Sequence, residues 1–242
     1  MPEIIFKTIP ILHDNYIPLL YVPKTDEMAV IDPGTSDEVL TEIAAVSGRL
    51  THILLTHHHP DHIGGVEALV AATGAKVVGH RLDAHRLPAL DVQVEGGDVF
   101  EWAGVELKVM FLPGHTLGHI AYSMPQHQRL FCGDVLFLMG CGRVFEGTHE
   151  QMFESLARIK MLPPETLIHC AHEYTQKNGE FALAMDLENK ALKQRMEKVI
   201  KFRENGEPTV PGLLSEELAT NPFLRAKTLE EFTKLREARN GW

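Results

Sequence analysis

An apolar run, Ile53-Leu54-Leu55, leads directly into Thr56-His57-His58-His59-Pro60-Asp61-His62, which contains the pattern His-x-His-x-Asp-His. The run reads as a buried strand, and four metal-ligating side chains just past its end call for a fold whose strands deliver loops to a common site. In extended backbone, residues i and i+2 project to the same side, so His57 and His59 converge while His58 points away. A turn begun by Pro60 brings Asp61 and His62 round to face a second position. Chance gives this six-residue pattern in roughly two of a thousand chains of such composition, so a solvated, inert histidine-rich loop is the weaker reading. Two imidazoles and a carboxylate suit zinc, iron or manganese.

The rest of the composition narrows the class. Fourteen histidines stand beside only 2 Trp and 4 Tyr in 242 residues. At 44% hydrophobic and 23% charged, the chain is an ordinary globular sequence able to bury a full core, which excludes disorder and a disulfide scaffold. A net charge of -10 disfavours a nucleic-acid partner, although a small anion held by a few local arginines fits. No stretch approaches the roughly 18 uncharged apolar residues of a membrane span, and the start lacks a basic segment followed by an apolar run, so no membrane partner and a cytoplasmic location are expected. The three cysteines, Cys132, Cys141 and Cys170, form no C-x-x-C pair, and buried spectator thiols are expected.

Along the chain, strand-like runs at 4–9, 17–22, 28–31, 51–55, 76–79, 105–112, 121–124, 130–131 and 166–169 alternate with helical patterns at 38–46, 64–72 and 152–162. This α/β order suits a sheet sandwich flanked by helices. Beyond about Tyr174 the pattern becomes helical: a long helix over 181–202, a Pro-containing loop at 206–212, then short helices ending with 229–239, and no further strand. A catalytic domain over 1–173 and a helical domain over 174–242 are therefore expected.

Three later segments place one further ligand candidate just past a strand: His115 in Pro113-Gly114-His115-Thr116, Asp134 in Phe131-Cys132-Gly133-Asp134, and His172 in Ala171-His172-Glu173. Any one alone is more often a turn residue or a satisfied polar group. Together and in this order they resemble the metallo-β-lactamase superfamily, which implies an αβ/βα sandwich with a dinuclear metal site. Asn15-Tyr16, Asp32-Pro33-Gly34, Pro113-Gly114-His115-Thr116-Leu117-Gly118-His119, Gly140-Cys141-Gly142-Arg143 with Glu146-Gly147-Thr148, His172-Glu173-Tyr174-Thr175, and Asn221-Pro222-Phe223 with Arg225 resemble the hydroxyacylglutathione hydrolase (glyoxalase II) family within it. These matches span essentially the whole chain.

The resemblance implies that His57, His59 and His115 hold one ion, that Asp61, His62 and His172 hold the other, and that Asp134 bridges the two. Two divalent ions, zinc first and iron or manganese next, would acidify a shared water and polarise a thioester carbonyl, with Asp61 and Asp134 as the catalytic carboxylates. The implied substrate is a 2-hydroxyacyl thioester of glutathione, S-D-lactoylglutathione foremost; a monomer is expected. The thiol leaving group has a pKa of about 8.5 to 9, so no dedicated general acid is required. Arg143 and Tyr174 match positions that contact the tripeptide, and Arg236 with Arg239 match a basic pair gripping its glycine carboxylate. The chain departs from the pattern at Arg239, which replaces a lysine, at Phe145, where some members have a tyrosine, and in the ending Asn240-Gly241-Trp242. Without the resemblance, Arg236 and Arg239 would read as a solvated helix face. A mononuclear-iron glutathione persulfide dioxygenase and a non-catalytic metal- or glutathione-binding protein are the competing readings. The complete second ligand set argues against both.

Overall fold

The computed structural model describes residues 2–242, which divide into two compact units: the residues up to Phe111 together with Gly118–His127, and Leu112–Leu117 together with Gln128–Trp242.

In the first unit, strands β1 (Ile5–Ile11), β2 (Asn15–Val22), β3 (Glu27–Ile31), β4 (Arg49–Leu54), β5 (Lys76–His80) and β6 (Val92–Val94) form one six-stranded sheet in sequence order. The β1-β2-β3 meander is antiparallel, and β3 to β6 run parallel. Parallel neighbours need crossovers. Here these include α1 (Asp37–Val46), which crosses from β3 to β4, and α2 (Pro60–Ile63) with α3 (Val66–Thr73), which cross from β4 to β5. Ile17, Val30, Ile53, Val39 and Leu69, all fully buried, join a core cluster that fixes β4 and therefore the start of the histidine loop. Strands β7 (Val99–Trp102), β8 (Val105–Phe111) and β9 (Ile120–Met124) complete the unit as an antiparallel meander. Strands β6 and β7 lie in the polar stretch that the sequence leaves unassigned. Gly97 turns between them at φ 98°, and the Asp98 carboxylate accepts the Glu95 N–H at 2.7 Å.

The second unit holds β10 (Arg129–Gly133), β11 (Leu136–Phe137), β12 (Gly140–Cys141), α4 (His149–Lys160) and β13 (Leu167–Cys170). These are followed by α5 (Thr175–Met185), α6 (Lys190–Glu204), β14 (Gly212–Leu213), α7 (Leu214–Thr220), α8 (Pro222–Arg225) and α9 (Leu229–Asn240). β10 pairs parallel with β13, and β11 with β12 forms a small hairpin. Helix α4 opens on a full capping box between Thr148 and Gln151.

Two expectations for the C-terminal part need correction. The single helix over 181–202 is two helices, because Asn189 caps α6 by accepting the Leu192 N–H at 3.1 Å and Asp186 is drawn off to pair with Arg225. A strand also returns after residue 174: Gly212 and Leu213 pair antiparallel with Ile168 and Leu167. Two residues show no alternation, so only the partner strand reveals them.

One buried histidine gives the fold a pH signature. His169 on β13 is 4% exposed and accepts a hydrogen bond from Arg129 at its Nε2, 2.7 Å away. Burial, with the Arg129 charge second, holds its pKa down at about 3. An unfolded chain would protonate His169 near 6.5 and the native one only near 3, so its contribution is complete above about 6.5 and drains away as pH falls toward 3. We expect thermal midpoints followed against pH to fall across that window, and a His169→Gln variant to fall less steeply across it.

Candidate metal centre and substrate pocket

The first unit builds a cluster of His and Asp side chains on the end of β4. The chain bends at Thr56, and the extended His59 enters α2 at φ -65°, ψ 145° with Pro60 as the first helical residue. The expected geometry is present: His57 Nε2 and His59 Nδ1 face each other at 3.0 Å, while His58 turns away to Asp83, 3.3 Å from its Nδ1. The Pro60 turn is a one-turn helix, and it carries Asp61 and His62 with 3.5 Å between Oδ2 and Nε2. The His57 and His62 rings lie 4.1 Å apart, centroid to centroid.

Asp32 organises this cluster, a role that its place in the motif Asp32-Pro33-Gly34 did not disclose. Its carboxylate, 3% exposed, accepts the Thr56 N–H at 2.7 Å, the Thr56 hydroxyl at 2.6 Å and the His62 Nδ1–H at 3.1 Å. With its proton on Asp32, the Thr56 hydroxyl accepts from His57 Nδ1, 3.0 Å away. One carboxylate therefore fixes the tautomers of His57 and His62 so that each presents an Nε2 lone pair. Asp32 sits at φ 50°, in the left-handed region that Asp tolerates better than most residues. Asn15 plays the matching part for Asp61, donating from Nδ2 to Oδ2 at 2.9 Å. Gly34 is required where it stands, since a Cβ there would collide with the Asp61 carbonyl oxygen.

The second unit presents His115, Asp134 and His172. Asp134 lies between the two imidazoles: Oδ2 is 3.4 Å from His115 Nε2 and Oδ1 is 3.4 Å from His172 Nε2. His115 donates its Nδ1–H to the Arg143 carbonyl at 2.7 Å, which again leaves Nε2 as the lone pair. The spacing of 3.4 Å is long for an N–H···O hydrogen bond. It matches the edge between two ligands that each lie about 2.1 Å from one tetrahedral ion. Each oxygen of Asp134 stands in that relation to a different histidine. The residues present thus fit a divalent-metal site. A Cβ at Gly142 would meet the Asp134 carbonyl oxygen, which explains the glycine there.

Beside these three residues the second unit encloses a cavity of about 430 Å³. All four expected recognition residues line it: Arg143, Tyr174, Arg236 and Arg239. Tyr174 stacks on His172 at 4.8 Å with ring planes 4° apart. Arg236 is 4% exposed, donates to the carbonyls of Cys141 at 2.8 Å and Gly142 at 3.3 Å, and packs over the Phe223 ring. A solvated face is thereby excluded for it. Arg239 donates to Asn178 Oδ1 at 3.2 Å and lies over Phe181. Burial lowers the Arg239 pKa below its ordinary value, and the neighbouring Arg236 and Arg143 charges push the same way. An incoming anion relieves that repulsion.

The cavity also involves residues that sequence reasoning passed over: Lys177 and Asn178 one turn along α5 from Tyr174, and Trp242, whose ring meets Phe181 edge to face at 5.6 Å. Phe145 stands 58% exposed at the wall, 5.2 Å from the His115 ring and 5.6 Å from the Arg143 guanidinium. Cys141 lines the cavity, yet burial pushes its thiol pKa up against the opposing pull of Arg236. At neutral pH it is a thiol rather than a nucleophilic thiolate.

Residues 19–172 match the metallo-beta-lactamase superfamily, and residues 173–242 match the hydroxyacylglutathione hydrolase C-terminus. The chain is 49% identical over 222 residues to a hydroxyacylglutathione hydrolase of Methylococcus capsulatus, covering 92% of this chain and 87% of that one. It belongs to the hydroxyacylglutathione hydrolase family. Among solved structures, ETHE1 from Myxococcus xanthus superposes with a TM-score of 0.76 at 29% identity over 98% of this chain and 91% of that one. TTHA1623, solved in a di-iron-bound form, gives 0.60 at 30% identity over 69% of this chain and 91% of that one. The metallo-β-lactamase fold expected from the sequence is the fold of this chain, with the helical C-terminal region of the family.

Proposed function

We propose that this chain is a metallohydrolase that cleaves the thioester of S-(2-hydroxyacyl)glutathione, chiefly S-D-lactoylglutathione, to glutathione and the free acid, D-lactate. The observation that carries the reading is the cavity in the second unit, where four cations stand beside a His115-Asp134-His172 set spaced for metal. Family membership over nine-tenths of the chain supports the same substrate.

In this reading His57, His59 and His115 hold one divalent ion, Asp61, His62 and His172 a second, and Asp134 serves both. When bound, the ions supply Lewis-acid polarisation of the carbonyl and a water acidified toward neutral pH. Zinc suits the mixed His/Asp set, and the di-iron form of TTHA1623 supports two ions and admits iron. Asp32 and Asn15 hold the ligands in the reactive tautomer and orientation. Arg143, Tyr174, Arg236 and Arg239 hold the tripeptide, with Arg236 and Arg239 on its glycine carboxylate. Residues 1–173 carry the chemistry and 174–242 complete the glutathione pocket. No helix among the described residues is long and apolar enough to cross a membrane. Three free, buried cysteines suit a reducing compartment, and we place the enzyme in the cytoplasm as a monomer.

The test is a comparison of S-D-lactoylglutathione with the lactoyl thioester of N-acetylcysteamine. Hydrolysis of the first with a kcat/KM at least about a hundredfold higher is expected if the pocket's charged contacts select glutathione. Equal rates would remove the tripeptide from the account.

A further inference from the structure

Within that reading of the cavity, one cation has no assigned partner. Lys177 lies on α5 three residues after Tyr174 and next to Asn178, and it lines the cavity with both. The other cations are engaged by the protein. Arg236 donates to two backbone carbonyls and keeps its buried Nε for a ligand, Arg239 donates to Asn178, and Arg143 stands against the face of Phe145. Lys177 is exposed, and among the described residues no acidic side chain forms an ion pair with it.

We infer that Lys177 is a specificity-determining residue of the pocket and pairs with the α-carboxylate of the substrate's γ-glutamyl end. The choice of end follows from hydration. The glycine end carries a single negative charge and suits the deep wall, where Arg236 is 4% exposed. The γ-glutamyl end carries an ammonium as well as a carboxylate. Burying both without full compensation is costly, so this end belongs at a solvated rim, where a flexible, fully hydrated ammonium is the matching partner. Of the two exposed cations at the cavity, Arg143 lies over the Phe145 ring, and Lys177 is the ammonium. It offers a polar contact in a pocket where Phe145 supplies no hydroxyl.

The inference rests on the glutathione reading, and the experiment separates the two. Calorimetry would measure S-hexylglutathione, S-hexyl-γ-glutamylcysteine and S-hexyl-cysteinylglycine binding to the metal-loaded wild type, Lys177→Met and Lys177→Arg. Lys177→Met is expected to weaken the first two about three- to fivefold, the range of an exposed ion pair. It should leave cysteinylglycine binding unchanged, and Lys177→Arg should restore affinity. In turnover of S-D-lactoylglutathione the same variant should raise KM with kcat held within about twofold, the signature of a uniform binding contact. Wild-type binding of S-hexylglutathione with no change in Lys177→Met overturns the inference alone. Equal weakening of the cysteinylglycine compound overturns the choice of end. If wild type binds none of the three, the glutathione reading falls together with the inference.

Discussion

Replacing Asp134 by Ala is expected to strip the protein of most of its bound divalent metal and to lower thioester hydrolysis by at least about 10³-fold, the upper end of the cost of losing one transition-state stabiliser. The reason lies in its two oxygens, which stand 3.4 Å from His115 Nε2 and 3.4 Å from His172 Nε2. In the proposed assignment one deletion therefore removes a ligand from each ion. Asp134→Asn keeps the shape but offers one neutral oxygen in place of two anionic ones, and it should fail almost as completely. Elemental analysis and steady-state rates check the prediction, with circular dichroism to show that the fold persists. Full metal content with intact turnover in Asp134→Ala would refute the ligand assignment.

Glu217→Ala is expected to cost about 3 to 5 kcal/mol of stability, the range for breaking a buried ion pair and stranding its partner. Glu217 on α7 is fully buried and pairs with Arg195 on α6, itself 7% exposed and donating to Thr220 at 2.7 Å. Its second oxygen accepts the Met139 N–H at 2.8 Å and the Asn221 Nδ2–H at 2.9 Å. Asn221 in turn donates to the carbonyls of Phe137 and Gly140. The network therefore clamps the β11-β12 hairpin, whose Phe137 and Cys141 line the cavity. Urea unfolding measures the loss, and a rise in KM should accompany it. The paired change Arg195→Met with Glu217→Leu should recover most of the stability, because no charge is then left buried and unpaired. A cost below about 1 kcal/mol for Glu217→Ala would place the clamp elsewhere.

The parts of this molecule that were legible in its sequence are those governed by local periodicity and by residue type. The His57 and His59 convergence followed from the two-residue period of extended backbone, and Ile53 to Leu55 announced the strand beneath it. The strands of the first unit, apart from β6 and β7, alternate or run apolar, and they appear where that pattern puts them. What stayed hidden depends on partners distant in sequence. Asp32 reads as a turn residue until Thr56 and His62, 24 and 30 positions later, are seen to donate to it. Asn15 gains its meaning only from Asp61, 46 positions away. Gly212-Leu213 is a strand only because Leu167 and Ile168 offer it an edge. The Glu217 network joins α6, α7 and a hairpin some 78 residues earlier, and nothing local marks Glu217 as different from its half-buried neighbour Glu216. Lys177 belongs to the same class, being an ordinary surface residue by type and a pocket residue by position.

The most direct test of the central claim is a metal titration of the demetallated protein with zinc, reading bound ion per chain and initial rate of S-D-lactoylglutathione hydrolysis on the same samples. Activity should rise with occupancy and reach its plateau near two ions per chain. Full hydrolytic activity in protein holding no divalent metal would contradict that claim.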